Sequence, residues 1–97
     1  MRYGYVYIMT NKPYGTLYTG VTGNLHERVA QHREGRGSEF VKTYGLTRLV
    51  WWEQHGMIVS AIQRETSIKR WKRDWKIDLI TKTNPKWLDL ATSGGMP

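Results

Sequence analysis

An α+β domain is the fold class this sequence predicts, on three observations. Residues 3–9, Y-G-Y-V-Y-I-M, alternate strictly and pass through a turn into a second short strand pattern. Residues 24–33, N-L-H-E-R-V-A-Q-H-R, carry a helix-start signal and an inward face at helical spacing. A β-rich run at 47–54 is followed by a second long helical pattern. Ninety-seven residues suit one such unit and are too few for two cores. The domain is expected to occupy residues 1–92, with 93–97 as a flexible tail.

In the first strand Tyr3, Tyr5 and Tyr7 point one way and Gly4, Val6 and Ile8 the other. T-N-K-P-Y-G at 10–15 has the Asn, Pro and Gly of a turn. T-L-Y-T-G-V-T at 16–22 is the return strand, with Leu17, Thr19 and Val21 on one face and Tyr18 and Gly20 on the other. An antiparallel hairpin then sends Val6, Ile8, Leu17 and Val21 to the core and gathers Tyr5, Tyr7 and Tyr18 on the opposite face, beside Gly20. Cross-strand tyrosines also stabilise hairpins, by a few tenths to about 1 kcal/mol, so their clustering has a purely structural reading as well.

Asn24 is a good N-cap for the helix that follows. Glu27, three residues later, completes a capping box by reaching back to the Asn24 N–H. Leu25, Arg28, Val29 and His32 share the inward face. An arginine is rarely buried unpaired, so this face should border a polar pocket. E-G-R-G-S-E is a glycine-broken loop with a basic tip, Ser38 can cap a short helix to Tyr44, and Gly45 suits its C-terminal stop.

T-R-L-V-W-W-E-Q at 47–54 reads as the third strand. A helix is expected from about Val59 to Trp71, breaking and resuming up to Lys82. Ile62, Ile68, Trp75 and Leu79 form its apolar face with Ala61 alongside, and Glu65 sits inside that stripe with Lys69 at i+4. Arg64, Arg70, Arg73 and Lys76 line the other side. Asn84-Pro85 stops the helix, and Trp87 is expected to pack back onto the body.

Fifteen Lys and Arg against eight Asp and Glu give a net charge of +7, which favours a polyanionic partner, nucleic acid before an acidic membrane surface. Five Trp and six Tyr can build a core, stack on bases, or do both. Without cysteine there are no disulfides and no thiolate metal sites. No stretch has the length of a membrane span and no secretory apolar region opens the chain. A soluble cytoplasmic protein with no membrane partner is the expectation.

If the two helices and the tyrosine strands converge, one pocket holds Arg28, His32, Tyr7, Tyr18 and Glu65. That set suits cleavage of a phosphodiester: Arg28 can meet phosphate oxygens bidentately. One carboxylate with water and substrate oxygen suits Mg²⁺, which keeps much of its hydration. Each residue also has a plainer role. Glu65 can pair with Lys69 or with Arg28, and His32 can bond a backbone carbonyl. P-loop, dinucleotide-binding, nucleophile-elbow and zinc-ligand patterns are absent.

The ordered motifs resemble those of the GIY-YIG nucleases, most of all the small standalone members. Tyr5-Val6-Tyr7 and Tyr18-Thr19-Gly20 stand for the two name-giving motifs, joined by the turn. N-L-x-x-R-V-x-x-H places Arg28 and His32, R-E-T-S-I-K-R-W places Glu65, and N-P-x-W-x-D-L places Asn84. The match runs from about Tyr3 to Leu90. Tyr5 replaces the first-motif glycine, with Gly4 one position earlier, and Thr19 replaces the second-motif isoleucine; neither change removes a catalytic side chain.

The resemblance implies a small three-stranded antiparallel sheet flanked by helices. It also implies one-metal hydrolysis of DNA, with one Mg²⁺ or Mn²⁺ held by Glu65, in a setting such as repair or recombination. Tyr7 is then the general base or its water-orienting partner, Tyr18 holds water or phosphate, Arg28 stabilises the transition state, and His32 orients or relays a proton. Gly20, Lys69 and Asn84 are expected to contact substrate. A tyrosine with a pKa near 10 is a poor base at pH 7 unless Arg28, the metal or a relay through His32 assists it. RNA stays open as a substrate, and target choice is expected from a recruiting protein or from the 33–45 loop. The competing readings are a catalytically weak nucleic-acid-binding module on the same fold, and an interaction protein whose charge is incidental.

Overall fold

In a computed structural model describing residues 3–97, strand β1 (Gly4–Thr10) is the centre of a three-stranded sheet. It pairs antiparallel with β2 (Leu17–Thr22) on one side and with β3 (Arg48–His55) on the other, in the order β2-β1-β3. Helix α1 (Leu25–Arg33) and the short α2 (Glu39–Tyr44) lie between β2 and β3 in the chain, and α3 (Ile58–Lys69) and α4 (Arg73–Thr83) follow β3. The register sets Tyr7 opposite Gly20 on β2 and opposite Trp52 on β3.

The alternation of β1 places a separate apolar cluster on each face of the sheet. Val6 and Ile8 pack with Val50, Ala61, Ile68, Ile80 and Trp87, under α3 and α4. Tyr7 and Met9 pack with Leu25, Val29, Val41, Leu46 and Leu49, under α1 and α2. The expected partition of the hairpin therefore holds, with both faces covered. Gly4 permits the close approach of α3, since a Cβ there would lie 2.6 Å from that of Ala61.

The caps follow the sequence with one change. Asn24 accepts from the Glu27 N–H at 3.1 Å, but the return arm of the capping box is replaced. The Asn24 N–H donates instead to Thr22 Oγ1 at 3.1 Å, because the β2 end brings a hydroxyl closer than the Glu27 carboxylate. Ser38 accepts from the Val41 N–H, and Gly45 (φ 63°) ends α2 in the left-handed region.

The second helical stretch differs from its expected face. Ile62 and Trp75 are exposed, at 47% and 54%. Ala61, Glu65 and Ile68 form the inward line of α3, one position round from Ile62. Around Lys72 the backbone is extended (ψ 150°), which resets the helical phase, so α4 turns Ile77 and Ile80 inward and Trp75 outward. The basic side is partly committed: Arg64 bonds Glu53 and lies over Trp71, and Arg73 donates to the carbonyls of Tyr14 and Gly15.

The chain after α4 covers the outer edge of β3, where unpaired backbone groups would otherwise face solvent. Leu49 donates to Asp89 Oδ1 and accepts from the Leu90 N–H, and Trp87 is fully buried against the sheet. Residues expected to fray turn back as well: Gly95 accepts from Trp52 Nε1 at 2.7 Å, and Met96 packs on the α1-side cluster.

Candidate active site

With the β3 edge covered, β2 is the other edge strand of the sheet, with α1 on one face and α3 on the other. Tyr7 points from the central strand toward this edge and lies across Gly20. A Cβ at Gly20 would stand 2.5 Å from both Cζ and the hydroxyl of Tyr7. Only glycine leaves room there.

The Tyr7 hydroxyl is hydrogen bonded to His32 Nε2 at 2.7 Å, and both residues are buried. The Gly37 backbone (φ 89°) closes over the imidazole, where an added Cβ would lie 3.4 Å from Nδ1. Nδ1 itself is buried without a hydrogen-bond partner. Burial, then the positive charge of Arg28, lowers the His32 pKa, with the Arg36 backbone opposing. The imidazole is therefore neutral near pH 7. Burial and the neighbouring Tyr18 push the Tyr7 phenol well above its usual value; Arg28 pulls it down and Glu65 adds a smaller upward push. Tyr7 is a protonated phenol at rest.

Tyr18 completes the ring cluster, edge-on to His32 with centroids 5.6 Å apart and tilted to Tyr7 at 6.3 Å. Arg28 is partly buried and joins no ion pair among the described residues. Its charge acts on both Tyr7 and His32. A guanidinium in that setting is ready for an anion. Glu65 comes from α3 on the opposite face, with its side chain 12% exposed and Lys69 Nζ 2.9 Å away. The ion pair available to Glu65 in the sequence is thus made, through a lysine that is half exposed.

The structure brings Tyr7, Tyr18, Gly20, Arg28, His32 and Glu65 into one neighbourhood, with Lys69 attached through Glu65. Asn84 is different. Its amide nitrogen donates to the carbonyls of Val50 and Leu88 and its oxygen accepts from the Leu88 N–H, so the side chain is engaged in fastening the C-terminal segment to β3. Both polar atoms of Asn84, expected to contact substrate, are thus engaged within the fold. Two contributors lie outside the expected set, Gly37 over His32 and Phe40, whose ring stacks with Tyr18 at 6.1 Å. The glycine-broken loop was the only sequence signal for the first. Nothing in the pattern singled out the second.

A cavity elsewhere on the surface is separate from this site. Of about 260 Å³ and beside α4, it is lined by Thr16, Leu17, Arg73 and Lys76 and includes none of these groups.

A sheet edge furnished in this way is that of a nuclease-type catalytic domain, and residues 3–78 match the family described as the GIY-YIG catalytic domain. The chain belongs to the GIY-YIG family. It is 38% identical over 76 residues to a UPF0213 protein of Staphylococcus haemolyticus, covering 78% of this chain and 92% of that one. A UPF0213 protein of Clostridium perfringens is 37% identical over 82 residues, covering 84% and 87%. Among solved structures, the solution NMR structure of a UPF0213 protein from Bacillus halodurans superposes with a TM-score of 0.56 at 26% identity, over 90% of this chain and 92% of that one. The fold of this chain, a three-stranded antiparallel sheet flanked by helices, matches that solved structure.

Proposed function

We propose that this protein is a metal-dependent endonuclease that hydrolyses phosphodiester bonds of DNA, in repair or recombination. The observation that carries the reading is the unpaired, partly buried Arg28 beside the hydrogen-bonded Tyr7–His32 pair. Arg28 receives the non-bridging oxygens of the scissile phosphate and stabilises the charge that builds on them. With the neutral imidazole protonated at Nδ1, the Tyr7 O–H donates to Nε2. As water attacks phosphorus, its proton passes to the Tyr7 oxygen while the Tyr7 proton moves to Nε2. The water loses one proton, Tyr7 ends neutral, and His32 becomes imidazolium. Burial and Arg28 disfavour that cation, so His32 returns its proton readily once the product leaves. Tyr18 orients the water or the phosphate from the other side of the ring cluster.

Glu65 is the residue that would hold the metal ion. No group of three or more His, Cys, Asp or Glu among the described residues is placed to bind one, and Glu65 is the carboxylate whose charge reaches Tyr7. That donor set suits Mg²⁺ or Mn²⁺ shared with water and substrate oxygens; when bound, the ion supplies positive charge for the departing 3′-oxygen. Lys69 neutralises Glu65 otherwise, and its exposed ammonium can swing away at little cost.

A cleavage panel of single-stranded, duplex, flap and junction DNA, with matched RNA, tests the reading. Glu65→Gln is expected to abolish Mg²⁺-dependent nicking while DNA affinity is equal or higher. Cleavage retained in that variant removes Glu65 from the metal site. No cutting of any substrate by the wild-type protein with Mg²⁺ or Mn²⁺ leaves the binding module as the better reading.

A further inference from the structure

The rings of the site do not stop at Tyr18. Its ring stacks with Phe40 of α2, with centroids 6.1 Å apart and planes inclined at 30°. Phe40 in turn lies 4.7 Å from Tyr44, one helical turn on. Phe40 is 43% exposed and Tyr44 52%. A single file of aromatic faces thus runs from the buried Tyr7 to the surface.

We propose that Phe40 and Tyr44 form a stacking platform for an unpaired nucleobase of the substrate, next to the phosphate held by Arg28. The proposal rests on the reading of this edge as a phosphodiester-cleaving site and adds the class of substrate. Within a duplex each base face is covered by its neighbours, so only a single strand, a flap, a bubble or a frayed end can present one to these rings.

Three features favour a base over a protein partner. The row is aromatic alone, whereas the large exposed aliphatic residues lie elsewhere, Met57, Val59 and Ile62 at the start of α3 and Leu88 after α4. The row is continuous with the catalytic cluster through Tyr18. A cation without an acidic partner among the described residues stands at its inner end, Arg28 beside Tyr7. Arg28 suits a phosphate adjoining a stacked base.

The test measures binding without divalent ions, so that no cleavage intervenes. Oligonucleotides carrying 2-aminopurine are offered as a single strand, as a flap and within a blunt duplex. Phe40→Ala and Tyr44→Ala are expected to weaken single-strand and flap binding by about tenfold each and to abolish the stacking-induced quenching. Blunt-duplex affinity should not change. Phe40→Leu, which keeps apolar bulk without a ring, should behave like Phe40→Ala, and Phe40→Trp should restore binding and confirm a folded protein. Equal losses on all three DNAs, or wild-type binding by Phe40→Leu, overturn the platform. So does a change in sedimentation with unchanged DNA affinity, which would make the row a self-association face. A protein that binds through Phe40 but never cuts would remove only the nuclease reading, whereas cutting with unaltered affinity in Phe40→Ala would remove only this one.

Discussion

The hydroxyl of Tyr7 and Nε2 of His32 meet at 2.7 Å between two elements that share no local sequence, the central strand and the end of α1. The same burial that raises the phenol's pKa lowers that of the imidazole, so both are neutral at rest. A proton can then cross the pair without either member being charged beforehand.

Tyr7→Phe removes the hydroxyl of the proposed relay while keeping the ring over Gly20. Hydrolysis is expected to fall by roughly 10²-fold or more, with DNA affinity retained. His32 would lose its one side-chain partner, so stability should fall by about 1–3 kcal/mol. Single-turnover cleavage and urea denaturation measure the two effects separately, and near-normal turnover would take Tyr7 out of the proton path.

His32 gives stability a pH dependence of definite sign. Its folded pKa lies below the ordinary 6.5, through burial first and Arg28 second. As pH falls, the unfolded chain takes up the proton before the folded one does. The stabilisation is therefore complete above about 6.5 and is lost as pH drops through the folded value. In denaturation at a series of pH values, the stability advantage of wild type over His32→Gln should shrink on acidification. An advantage that is constant or grows contradicts a neutral, buried His32.

Adjacent positions of the second motif should respond in opposite ways. Gly20→Ala drives a methyl into Tyr7 and is expected to cost about 1–3 kcal/mol and most of the activity. Thr19, on the other face, buries a hydroxyl with no hydrogen-bond partner. Thr19→Val should therefore raise stability by about 1 kcal/mol and leave cleavage as it was. Thermal melting of the two variants decides both.

Asn84→Ala tests whether this side chain serves the fold or the substrate. Losing its three backbone bonds should cost about 2–3 kcal/mol, while the KM and kcat of the folded protein stay unchanged. A rise in KM at full foldedness would restore it as a substrate contact.

Sequence alone determined the strands, the caps and the two-sided hairpin, because period-2 alternation and the Asn24 and Ser38 signals are local properties of the chain. It also picked out Arg28, His32 and Glu65, since polar side chains on otherwise apolar faces need a reason to be there. Local pattern failed where the phase of a helix depends on what precedes it. An extended Lys72 turns Trp75 outward, although no Gly or Pro marks the break. The partners of Asn84 were hidden for a related reason: nothing nearby in the chain reveals that the Val50 carbonyl waits across the fold. Only the tertiary structure decided that β2 is an edge strand beside β1, that Gly20 makes room there for Tyr7, and that α1 and α3 lie on opposite faces of the sheet. These are relations between distant segments, set by which faces must be buried together, and no local spacing contains them.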